Sequence, residues 1–84
     1  MEEREVGRVT DYYKHVGVAG VALTGTLRQG DRIRIRGHTT DLEQPAGSLE
    51  IDHRPVAEAG PGQSVGIKVR ERVRRGDHVY VVTE

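Results

Sequence analysis

Apolar and polar residues alternate with period two through Asp31-Arg32-Ile33-Arg34-Ile35-Arg36-Gly37, which sends both isoleucines to one face and the arginines to the other. This is the pattern of a strand with one wet face. The same test over Ser64 to Arg74 places Val65, Ile67, Val69 and Val73 on one side and Lys68, Arg70, Arg72 and Arg74 on the other, with Glu71 marking where the strand ends or bends. Ser48 to Asp52 and His78 to Val82 add two short strands, the first closed by Pro55. Val6 and Val9 have opposite parity, so both reach one core only if Gly7 or Arg8 carries a one-residue bulge. Between Val16 and Leu27 small residues occupy both parities, as a strand closely approached by another backbone requires. Gly37 to Gly47 is the most polar stretch and reads as the longest loop. Eleven glycines interrupt every segment that could hold an amphipathic helix.

Three segments repeat apolar-x-x-Gly-(Asp or Gln)-x-apolar-x-apolar: Leu27 to Ile35, Ala59 to Ile67, and Val73 to Val81. A glycine at that position supplies the positive φ of a tight turn, and the polar residue after it can bond backbone donors as the next strand begins. Six or so strands entered through such turns predict a small closed six-stranded antiparallel barrel, with a two-sheet sandwich as the alternative. Residues 1–5 read as a flexible N-terminal tail and 6–84 as a single all-β domain.

The run Gly17 to Gly37, with Ser48-Leu49-Glu50-Ile51, Ala59-Gly60-Pro61-Gly62, Val65-Gly66-Ile67 and Gly76-Asp77-His78-Val79-Tyr80, resembles the second domain of translational GTPases such as elongation factor Tu. Gly37 to Gln44 and Gly66 to Val69 are similar to small stand-alone proteins described as translation elongation factor-like. A similar barrel occurs as an accessory C-terminal domain of collagenase-like peptidases. The resemblance implies a translation-protein barrel and, in its GTPase relatives, contact with aminoacylated tRNA or ribosomal RNA. GTP hydrolysis is not implied, because no G-x-x-x-x-G-K-(S/T) run is present to cradle a nucleotide's phosphates.

Composition sharpens this picture in two places. Twelve of the 29 hydrophobic residues are valine and there is no cysteine, so packing and backbone ladders, not disulfides or thiolate metal sites, must hold the chain. Thirteen acidic residues cancel thirteen basic ones, which excludes binding by bulk net charge but not by a local patch. The charge is in fact segregated, with a net +3 over Arg28 to His38, +3 over Ile67 to His78 and −4 over Asp41 to Ala59. Two rows, Arg32, Arg34 and Arg36, and Lys68, Arg70, Arg72 and Arg74, could each track a phosphate backbone. Alternatively, the acidic strand around Glu50 and Asp52 lies beside them and neutralises them.

Catalytic and metal-binding patterns are weak. Ser48 and Ser64 lie in strand contexts without a nucleophile-elbow motif, and His15, His38, His53 and His78 lack metal-ligand spacing. Glu50 and Asp52 share a strand face but have no visible cause for a raised pKa. No cofactor is expected, and the chain reads as a non-enzyme. The acidic start is no signal peptide and the apolar runs are too short for a membrane span, which predicts a cytoplasmic protein. Of the three tyrosines, Tyr12 and Tyr13 adjoin, so one should fill the core while the other reaches outward. The leading expectation is an accessory RNA-binding module associated with tRNA or the ribosome. The alternative is a protein-interaction module docked on an enzyme such as a collagenase-like peptidase, with Val16, Val18 and Ala22 as an exposed apolar patch.

Overall fold

A computed structural model describes residues 2–83. All regular elements among them are strands: β1 (Glu2–Tyr13), β2 (Val18–Leu23), β3 (Leu27–Arg28), β4 (Arg32–Arg36), β5 (Asp41–Pro45), β6 (Leu49–Ile51), β7 (Arg54–Val56), β8 (Glu58–Ala59), β9 (Ser64–Lys68) and β10 (His78–Thr83). Eight form one antiparallel sheet in the order β5-β4-β10-β1-β2-β9-β6-β7, and β3 pairs with β8. Ten strands thus stand where six or so were expected, and the additional ones include β3, β7 and β8, two- or three-residue pieces whose period is too short to read from sequence.

All three repeated turns form as expected. Gly30, Gly62 and Gly76 have φ of 94°, 86° and 92°. The residue after each glycine then reaches back three positions. Asp31 Oδ2 accepts the Arg28 N–H at 3.0 Å, Gln63 Oε1 accepts the Gly60 N–H at 2.7 Å, and Asp77 Oδ2 accepts the Arg74 N–H at 2.9 Å. In each turn the backbone N–H of that same polar residue donates to the carbonyl three residues earlier, so the turn is closed by two opposed bonds. These turns deliver β4, β9 and β10.

The bulge lies one residue before the expected position. Val6 is the extra residue between the Glu5–Tyr80 and Gly7–Val79 pairs, and Thr10 is a second between Val9–Val21 and Asp11–Gly20. The first bulge resets parity so that Val6 and Val9 are both fully buried. They join Val21, Ile33, Ile35, Leu49, Ile67 and Val79 in a single core. Residues Glu2 to Glu5, read as tail from the sequence, pair with Thr83 through Tyr80 as the first part of β1.

Two further expectations are corrected. The polar stretch Gly37 to Gly47 contains β5, whose Leu42 and Gln44, with Ala46 just after it, turn inward while Asp41, Glu43 and Pro45 do not. A glutamine at a core position concealed the period. The strand expected from Ser64 to Arg74 ends at Lys68, so only the first of its four cations is on a strand, although Val69 and Val73 remain buried. Asp52 and His53 occupy a tight turn with φ of 51° and 64°, not a strand, and Pro55 lies within edge strand β7, where no ladder is broken on its outer side.

Gln44 connects the open side of β5 to the chain leaving β9. Its amide Nε2–H donates to the Lys68 carbonyl at 2.8 Å and its Oε1 accepts the Arg70 N–H at 2.9 Å. One buried side chain thus does what a pair of ladder bonds does elsewhere in the sheet.

Candidate interaction surface

The β4 arginines project from the outer face of the sheet, as their alternation predicts, but they do not stand free. Arg34 Nε and Nη2 form a fork on Asp41 at 2.9 and 3.0 Å, and its Nη1 donates to Glu3 Oε2 at 3.1 Å. Arg36 Nη2 donates to the other oxygen of Glu3 at 2.7 Å, and its guanidinium lies 5.0 Å from the centre of the Tyr80 ring. Arg32 pairs with Glu43. The acids come from β1 and β5, which flank β4 and β10, and not from Glu50 and Asp52. Glu50 pairs instead with Gly66 and Pro55, two strands beyond β2. Internal neutralisation, the alternative that the sequence allows, is therefore what this row shows, but the acids come from other elements than the strand around Glu50 and Asp52. The run that was read as tail holds Glu3, and the run that was read as loop holds Asp41 and Glu43.

Arg34 holds the Asp41 carboxyl below its ordinary range, chiefly through the direct hydrogen bond and then through charge, with Arg36 adding to the latter. A carboxyl lowered in the folded state adds stability above its unfolded pKa and loses it as pH falls through the folded value. Arg34→Ala is therefore expected to narrow the stability gap to the parent chain as pH drops below the carboxylate range, and to leave a gap at neutral pH that shrinks with salt. Urea titrations across pH 2 to 7 read this, and pH-independent curves for the pair would remove Asp41 as the cause.

The second row has a different fate. Lys68, Arg70, Arg72 and Arg74 are exposed, and none lies within salt-bridge distance of a carboxylate among the described residues. The rows meet only at Glu43, whose carboxylate holds Arg32 and whose carbonyl accepts Arg70 Nη2–H at 2.7 Å. Lys68 and Arg70 line one side of an open groove of about 390 Å³ with Gln44, Pro45, Gly47 and Ser48. On the other side lies the β1–β2 hairpin. Tyr13 pairs with Val18 and Val18 with Lys68, and the Val69 N–H donates to Gly17 at 2.9 Å. Among the described residues, Tyr13 and Val16 are the exposed large apolar ones, at 54% and 60%, whereas Tyr12 packs against the core. Of the apolar patch expected at Val16, Val18 and Ala22, Val16 is exposed and the other two are half-buried.

Gln44 is the position whose role the sequence does not suggest, whereas the outward-reaching tyrosine it predicts is Tyr13. For Gln44 a signal existed in the period Leu42, Gln44, Ala46, hidden because the middle member is polar. Among the described residues no group of three or more His, Cys, Asp or Glu is placed to hold a metal ion, and no helix is long and apolar enough to cross a membrane.

No protein-family model matches the chain. It is 43% identical over 81 residues to an uncharacterized protease of Methanocaldococcus jannaschii, covering 95% of this chain and 20% of that protein. A collagenase of Porphyromonas gingivalis is 35% identical over 77 residues, which are 89% of this chain and 21% of the collagenase. Elongation factor 1-alpha of Archaeoglobus fulgidus is 34% identical over 83 residues, covering 82% of this chain and 18% of the factor. The chain thus spans about a fifth of the length of the curated relatives it matches. In fold it is similar to the crystal structure of the C-terminal domain of a Geobacillus thermoleovorans U32 peptidase, with a TM-score of 0.89 at 20% identity over 95% of this chain and 93% of that one. The selenomethionine variant of that domain gives a TM-score of 0.86 at 22% identity, over 90% and 96% of the two chains.

Proposed function

We propose that the chain is a non-catalytic accessory module of the U32 or collagenase-like peptidase type, which docks on a peptidase body. The observation that carries this reading is the 43% identity over nearly the whole chain to one fifth of a protease, joined to the fold of a peptidase C-terminal domain. In the same reading six strands, in the order β5-β4-β10-β1-β2-β9, make a small barrel whose seam is closed by Gln44 instead of a ladder. The module contributes binding surface and not chemistry, since among the described residues its serines and histidines are not assembled with an activating partner beyond the exposed His78–Glu5 pair at 3.1 Å. The RNA-binding expectation is weakened by the β4 row, because Arg32, Arg34 and Arg36 already hold the chain's own carboxylates.

The test is binding of this chain to the M. jannaschii protease body with the matching fifth removed, measured by calorimetry before and after ribonuclease treatment. Saturable binding that survives the nuclease is expected. Absence of binding, or retention that depends on RNA, would overturn the docking reading, and hydrolysis of gelatin by this chain alone would overturn the non-catalytic one.

A further inference from the structure

The seven ion pairs among the described residues engage Arg28, Arg32, Arg34, Arg36, Arg75 and His78. Of the eight lysines and arginines they leave, four fall in one short stretch. Lys68 to Arg74 carries four cations and the single acid Glu71. The stretch is also preorganised at its centre. Arg70 is held by its backbone N–H on Gln44 and by Nη2 on the Glu43 carbonyl, which leaves most of its guanidinium donors unused on a side chain with little conformational freedom left to lose. On one side is the groove at Gln44, Pro45, Gly47 and Ser48, and on the other the exposed Tyr13 and Val16.

We propose that Lys68, Arg70 and Arg72, with Tyr13 and Val16, form a recognition surface for an acidic protein segment that also carries apolar side chains. This deepens the docking reading and rests on it for the source of the segment. Charge complementarity sets the sign of the partner, because the stretch is cationic and carries no ion pair among the described residues. The apolar neighbours set its class. A phosphate backbone gains nothing from covering Val16 or Pro45, and Tyr13 is a lone exposed aromatic, not one of several stacking platforms. A protein segment gains from both, since tyrosine and arginine beside a desolvated apolar patch are the residues on which protein interfaces concentrate their affinity.

The experiment is an amide NMR titration of the intact chain with a synthetic octapeptide of alternating glutamate and leucine, set against its lysine–leucine counterpart and an eight-nucleotide oligouridylate. Shifts at Tyr13, Val16 and Lys68 to Arg72 with the acidic peptide alone are expected, and affinity should weaken with salt. Lys68→Ala with Arg72→Ala should lower that affinity about tenfold, two partly exposed ion pairs being lost. Neither side chain makes a hydrogen bond among the described residues, so both variants should stay folded, and Arg32→Ala on the neutralised face should leave affinity within about twofold. Shifts located elsewhere, no effect of the double substitution, or tighter binding of oligouridylate at the same amides would each overturn the proposal. Calorimetry with the protease body separates the two ideas. A body that binds the double variant as well as the parent leaves the docking reading standing and removes this surface, while an acidic peptide that binds here beside a body that does not keeps the surface and removes the peptidase as its partner.

Discussion

Gln44→Leu is expected to lower the unfolding free energy by about 2 kcal/mol, read from the urea midpoint at constant m, although leucine has nearly the volume and more than the hydrophobicity of the residue it replaces. The loss falls on two backbone groups. The Lys68 carbonyl loses the donor at 2.8 Å and the Arg70 N–H loses the acceptor at 2.9 Å, both in a partly buried seam that water reaches poorly. A buried polar group without a partner costs about 1–3 kcal/mol, and partial access of water brings the pair below the sum of two such penalties. Gln44→Glu makes a sharper test. Its carboxylate still accepts from Arg70 but cannot donate to Lys68, and it brings negative charge against a carbonyl oxygen. Protonation restores the donor, so the deficit of this variant should shrink as pH falls through the carboxyl's titration. A change below about 0.5 kcal/mol for Gln44→Leu would show that the seam is held by packing alone. The closed-barrel reading would then lose its support.

Gly7→Ala is expected to be comparably damaging, for a steric reason. A Cβ on Gly7 would stand 2.8 Å from the Ala22 carbonyl oxygen and 2.8 Å from Val21 Cγ1, with Leu23 Cδ2 at 3.3 Å. The first of these is backbone within the β1–β2 ladder, and the others are core side chains, so relief requires moving a strand that also carries Val9 and Val6. Overpacking of this kind costs about 1–3 kcal/mol, which in a domain of this size lowers the melting temperature by about 5–20 °C. Gly30→Ala is the control. No atom lies within 4 Å of its added methyl, so only the positive φ is penalised, at about 1 kcal/mol. Calorimetric melting of the two variants distinguishes steric collision from backbone preference. Equal losses would mean that the bulge beside Gly7 relaxes freely.

The resemblance to translational GTPases and to the peptidase-associated barrel pointed to relatives that the comparisons also contain, but it ranked them in the other order. Identity is higher to the M. jannaschii protease than to elongation factor 1-alpha, at 43% against 34%. The shared turn motif reports a fold and carries no information about a partner.

What the sequence determined by itself was local. The Gly-(Asp or Gln) turns specify both a positive φ and the side chain that locks it, so their geometry needs no distant residue. The alternation of Ile33 and Ile35 with three arginines, and the clash of parity between Val6 and Val9, likewise depend only on the two-residue period of a strand, which is why the strand face and a bulge near Gly7 could be stated in advance. Tertiary structure decided everything that required knowing which strands are neighbours. Arg34 meets Glu3, 31 positions away, only because β10 lies between β4 and β1 and both side chains lean across it. The Arg70 backbone N–H meets Gln44 Oε1, 26 positions away, only because the seam brings the chain after β9 against β5, where the guanidinium reaches the Glu43 carbonyl. A charge in a sequence has a sign and a face, but whether it is spent inside the molecule or offered to a partner depends on sheet order. That order converted two similar arginine rows into one neutralised face and one open cationic edge.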